Sequence, residues 1–113
     1  MVILFTGDIG RTLEYYVNLL GFQLKSHKTI FDASRADFVV IEGYGLRLGL
    51  HISEEISSPS GFKIVFRVDD IDEFKGFLDD KGVEYIGPRE IAPNLYELEV
   101  RDPDGRLLSF ISS

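Results

Sequence analysis

The sequence contains no cysteine and no tryptophan, a single methionine and only two histidines. Without cysteine there are no disulfides, no thiolate metal ligands and no cysteine nucleophile. Basic residues are also scarce, with 12 Lys and Arg against 19 Asp and Glu, for a net charge of −7. Such a chain repels a phosphate backbone and an anionic bilayer, so neither nucleic acid nor membrane is expected as a partner. No apolar run approaches the length of a membrane span, and the N-terminal VILF is too short and lacks the basic flank of a signal peptide. A cytoplasmic protein is the expectation. Several catalytic signatures are missing as well: no GxxxxGK[ST], no GxGxxG after a strand, no HExxH and no GxSxG occurs. Nucleotide-cradling, zincin and α/β-hydrolase chemistry therefore have no local support.

What is present is a globular balance. Over 113 residues, 44% hydrophobic and 27% charged side chains suit one domain with one core. The chain also repeats itself. MVILFTGD, from Met1, and KIVFRVDD, from Lys63, are both apolar runs that end in an acidic residue. Each is followed by a helical pattern: Ile9, Leu13, Tyr16 and Leu20 in the first half, Ile71, Phe74 and Leu78 in the second. Asp8 and Asp70 are placed to cap these helices, with Glu73 completing a capping-box spacing, and Gly21 and Gly82 to stop them.

Strands are expected in FQLKSHKTI and VEYI, then over Asp37 to Glu42, Leu46 to Ile52, Leu95 to Arg101 and Arg106 to Ile111. Glycine-bearing turns, Gly43-Tyr44-Gly45 and Asp102-Pro103-Asp104-Gly105, join the last strand pair of each half. The fold class expected is α+β, a single domain over 1–113. Module one covers about 1–52, a Ser/Pro/Gly linker about 53–61, and module two about 62–113.

GDIGRTLEYYVNLLGFQL resembles the first helix of the glyoxalase, bleomycin-resistance and extradiol-dioxygenase superfamily, the vicinal oxygen chelate fold. VRDPDGRLLSF resembles that family's DPDG hairpin, and VDDIDEFKGFLDDKGVEYIGP its second helix and strand. The resemblance spans nearly the whole chain. It implies two tandem βαβββ modules forming curved mixed sheets around a cavity, often completed in a homodimer. In members that use a metal it also implies ligands at four positions, which here carry Met1, Gly49, Lys63 and Ser109. None is an ordinary divalent-ion ligand, and the ammonium of Lys63 opposes a dication. No metal and no cofactor is expected on this basis. His51, two residues beyond Gly49, the alternating Glu97 and Glu99, and the α-amine of Met1 are the remaining routes to a displaced metal site.

Strand alternation puts Lys63, Val65 and Arg67 on one face, and Arg47, Gly49 and His51 on another. If the resemblance sets the inward faces, Phe5, Arg47, Gly49, His51, Lys63, Arg67 and Ser109 line the cavity. An apolar, aromatic lining with cations fits a small organic molecule carrying an anionic group. The same cations have a plainer reading, as partners of acids or as groups snorkelling to water. Tyr15, Tyr16 and the phenylalanines at 62, 66, 74 and 77 read as core, whereas Tyr44, between two glycines, reads as a ring that is exposed unless something covers it, as a dimer contact or pocket rim would. The favoured function is a metal-independent binding protein similar to the bleomycin-resistance members. The alternatives are a metal-dependent lyase, isomerase or dioxygenase with displaced ligands, a metal-free enzyme using Lys63 or His51 as acid or base, and a partner module that keeps only the fold.

Overall fold

The computed structural model describes residues 1–55 and 63–113; most of the expected linker, and Phe62, lie outside them. The chain divides into two compact units, Met1–Ser58 and Pro59–Ser113.

The first unit is a four-stranded sheet in the order β1-β4-β3-β2, formed by Val2–Thr6, Leu46–Ile52, Phe38–Gly43 and Gln23–Leu24. β1 runs parallel to β4, and the other pairs are antiparallel. The helix α1 (Ile9–Leu13) starts at Asp8, whose carboxylate accepts the Arg11 amide at 3.0 Å. The helix does not continue regularly to Gly21. It widens into a π-helical stretch over Glu14–Leu19, in which the Leu20 amide donates five residues back to the Tyr15 carbonyl. The periodic residues Ile9, Leu13, Tyr16 and Leu20 all remain fully buried, against Leu4, Ile41, Leu48 and Leu50 on one face of the sheet. FQLKSHKTI forms only the two-residue β2, and Thr29 then caps a short helix α2 (Ile30–Ala33). The Thr29 side chain bonds the Asp32 amide at 3.1 Å, a local cap that outcompetes extension.

The second unit repeats this plan. Its sheet runs β5-β8-β7-β6, formed by Ile64–Arg67, Leu107–Ser112, Leu95–Arg101 and Ile86–Ala92, with β5 parallel to β8. The helix α3 (Ile71–Lys81) is capped by Asp70, which accepts from the Asp72 and Glu73 amides, and it ends at Gly82 with φ 71°. Phe66, Phe74 and Phe110 form its core, with Phe74 and Phe110 ring centroids 4.4 Å apart. Of VEYI only Ile86 belongs to the strand. Pairing with β7 begins only at Ile86, three residues later than the composition suggests, while Val83 is buried beside the helix end.

The equivalence of the halves extends to register, since Ile3 lies opposite Gly49 as Val65 lies opposite Ser109. The DPDG hairpin is held by Asp102, which is 4% exposed: one carboxylate oxygen accepts the Asp104 and Arg106 amides and the other the Arg106 guanidinium at 2.7 Å. That motif builds a turn. Tyr44 finds its cover within the unit: its ring is tucked against Phe22 with centroids 5.3 Å apart and its hydroxyl donates to the Leu20 carbonyl.

Candidate functional site

Each helix covers one face of its sheet, and alternation sends the odd-numbered residues of the parallel strand pairs to the opposite, open face. In the second unit that face carries Lys63, Val65, Ser109, Glu97 and Glu99, with Arg89 added from β6. Four ion pairs close into a ring. The Lys63 ammonium donates to Glu97 Oε2 at 2.5 Å and to Glu99 Oε1 at 3.3 Å. Arg89 Nη2 reaches Glu97 Oε1 at 3.2 Å and Glu99 Oε1 at 3.1 Å. The Ser109 hydroxyl, fully buried, donates to Glu97 Oε2 at 2.7 Å.

Glu97 is only 2% exposed, and this burial by itself would push its pKa up. Hydrogen bonds from Lys63, Ser109 and Arg89 outweigh it and hold the carboxyl at about 2. Lys63 moves the opposite way: its hydrogen bond to Glu97, reinforced by Glu99, raises the ammonium above the ordinary lysine range. A lysine held protonated in this manner is a poor general base near neutral pH, which weakens the chemistry expected of it as a catalyst. Beside the ring opens a pocket of ≈ 230 Å³ lined by Glu84, Tyr85, Ile86, Glu99, Arg101 and Leu107.

The open face of the first unit differs in character. Phe5 on β1 and Phe38 on β3 lie directly opposite His51 on the intervening β4. Their ring centroids stand 5.7 and 6.1 Å from the imidazole, both edge-on. Gly49 lies one pleat away. A Cβ there would come within 2.7 Å of Ile3 Cδ1 and Phe38 Cζ, so the missing side chain is what lets those two groups close over the strand. Arg47 is spent on an exposed ion pair with Glu42, its direct cross-strand neighbour, at 2.8 Å. Arg67 is exposed and has no hydrogen bond or ion pair among the described residues.

The seven residues expected at one cavity thus fall into two groups, Phe5, Arg47, Gly49 and His51 on the first sheet and Lys63, Arg67 and Ser109 on the second. Sequence reasoning passed over Arg89, because the strand carrying it was placed three residues early. It also passed over Phe38, although the same short hairpin that sets Glu42 opposite Arg47 sets Phe38 opposite His51.

The sequence model of the Glyoxalase/Bleomycin resistance protein/Dioxygenase superfamily matches residues 1–110. The chain belongs to that superfamily. Solved structures agree on the fold. An integron cassette protein from the mobile metagenome of the Halifax Harbour sewage outfall superposes with a TM-score of 0.79 at 22% identity, covering 99% of this chain and 95% of its own. A glyoxalase family protein from Bacillus anthracis gives 0.76 at 20% identity, covering 97% and 88%. A glyoxalase/bleomycin resistance protein/dioxygenase from Alicyclobacillus acidocaldarius gives 0.74 at 17% identity, covering 97% and 86%. No curated protein matches the chain significantly.

The positions at which metal-using members of the superfamily place ligands do not fit a divalent ion here. Met1 is exposed and offers only a thioether, and Gly49 has no side chain in a space already closed by Ile3 and Phe38. Lys63 holds its own positive charge among the carboxylates, and the Ser109 hydroxyl is committed to Glu97. No cluster of three His, Asp or Glu side chains suited to a metal occurs among the described residues. No helix among them is long and apolar enough to cross a membrane.

Proposed function

We propose that this member of the superfamily is a metal-independent small-molecule-binding protein of the cytoplasm, holding an organic ligand on the open sheet faces in a cavity that a second copy of the chain completes. The observation that carries the proposal is the closed ring of Lys63, Glu97, Arg89 and Glu99. Carboxylates that would attract a dication are already neutralised by the chain's own cations, at distances that leave the buried oxygens of Glu97 satisfied. What remains for a ligand is apolar surface. Ile3, Phe5, Phe38 and Val65 are 43%, 51%, 38% and 48% exposed, an unusual share of large apolar groups for sheet faces that face water in the final assembly. With Arg47 paired to Glu42 and Lys63 to Glu97 and Glu99, Arg67 is the cavity-face cation left to meet an anionic substituent.

The test combines two measurements on protein purified without chelator. Elemental analysis is expected to find divalent metal far below one equivalent per chain, and thermal-shift screening to find organic compounds that raise Tm. Stoichiometric metal, or no stabilising compound across a broad panel, refutes the proposal. A monomer in sedimentation at all concentrations refutes its dimeric part.

A further inference from the structure

The environment of His51 identifies which ring nitrogen is free. Nδ1 lies 2.8 Å from the Ile52 carbonyl, an atom that only accepts, so Nδ1 carries the proton and the neutral ring keeps its lone pair on Nε2. Among the described residues no donor reaches Nε2. The imidazole stands between Phe5 and Phe38 at interplanar angles of 67° and 62°, and all three side chains are exposed. Arg47, two pleats away on the same strand face, is bound to Glu42 through two of its nitrogens.

We infer that the open face of the first unit seats a flat, uncharged aromatic molecule bearing an O–H or N–H donor, with His51 Nε2 as the acceptor that selects it. This rests on the small-molecule binding proposed above and narrows its ligand class on this sheet. A purely apolar guest lying on Phe5 and Phe38 strips water from Nε2 and leaves the acceptor unsatisfied, whereas a donor on the guest replaces that water. A carboxylate guest brings its charge against a lone pair, and the Arg47 guanidinium further along the strand is already engaged by Glu42. Phenyl rings flanking the acceptor provide the edge-to-face contacts that a planar guest uses and a branched aliphatic one does not.

Three probes separate these cases: 2-naphthol, naphthalene and 2-naphthoate, titrated at about pH 8, where an ordinary histidine is neutral. Long-range proton–nitrogen spectra of the histidine side chains report the tautomer and the contact on the unaltered chain. Protonated Nδ1 is expected in the free protein, and 2-naphthol should shift Nε2 and bind roughly tenfold more tightly than naphthalene or 2-naphthoate, the value of one hydrogen bond. His51→Phe should erase that preference and tighten naphthalene binding severalfold, because the apolar guest no longer strands an acceptor. The inference is overturned by a protonated Nε2, by an Nε2 signal that saturating 2-naphthol does not move, or by a preference that survives in His51→Phe. A Phe5→Ala protein whose oligomeric state changes while naphthalene affinity does not would assign the patch to a second copy instead, and also overturns it. Other compounds raising Tm while 2-naphthol leaves His51 untouched would sink this inference and spare the binding function. A broad panel without any stabilising compound sinks both.

Discussion

Glu97→Gln tests whether the ring on the second sheet stabilises the fold through ionised carboxylate. The substitution keeps shape and most hydrogen-bonding capacity but removes the charge that Lys63 and Arg89 face. Glu97 ionises at about 2 in the folded chain against 4.5 for a free glutamate. That difference corresponds to about 3 kcal/mol of stability at neutral pH, an upper figure because Lys63 and Arg89 are partly solvated and regain water when the partner is lost. Because the folded pKa is lowered, the contribution is complete above about pH 5 and disappears as pH falls towards 2. Linkage reduces it to about 1.4 kcal/mol at pH 3. Urea denaturation of both proteins at a series of pH values should show a stability gap that is widest near neutrality and closes on acidification. A gap of equal size at pH 3 and pH 7 would refute the reasoning, since it would place the stabilisation in packing or neutral hydrogen bonding.

Lys63→Met should raise the Glu97 pKa, moving the acid limb of the stability curve to higher pH; carboxyl titration by NMR reads this directly, and an unmoved Glu97 argues that Arg89 and Ser109 suffice. Asp102→Ala should cost about 3 to 5 kcal/mol in urea denaturation, because it removes the 2.7 Å partner of the nearly buried Arg106 guanidinium and leaves it the more distant Asp104 at 3.6 Å. Two glycine substitutions should differ although each brings a Cβ to 2.7 Å of a neighbour. Gly43→Ala meets the inner ring atoms of Phe22, which is 2% exposed, and should lower stability by about 2 kcal/mol. Gly49→Ala meets the outer ends of Ile3 and Phe38, both free to swing towards water, and should cost less than about 1 kcal/mol; equal Tm losses would contradict this.

Much of the architecture was legible because its signals are local. A capping aspartate, a 3.6-residue apolar period and a left-handed glycine depend on neighbours a few residues away, so both main helices and the hairpin turns followed from the residues. Failures came where local preference was overridden. The apolar period of the first helix cannot distinguish α from π winding, since Tyr16 and Leu20 are buried in either. The polar stretch after Gly21 reads as strand by propensity, yet only Gln23 and Leu24 find a partner on β3, opposite Glu42 and Ile41. Tyr44 looked exposed between glycines because its cover, Phe22, is distant in sequence.

The duplication and the family are carried by repeat spacing and motif order, properties of one chain read in order, whereas Arg89 and Phe38 reach the open faces only through cross-strand register. Only the tertiary structure decided what those groups do to one another. Lys63 is the counter-ion of Glu97, Arg47 the partner of Glu42, and His51 a donor through Nδ1 to the Ile52 carbonyl. Each outcome depends on cross-strand register or on a carbonyl within about 3 Å of a ring nitrogen, distances that composition and periodicity do not specify.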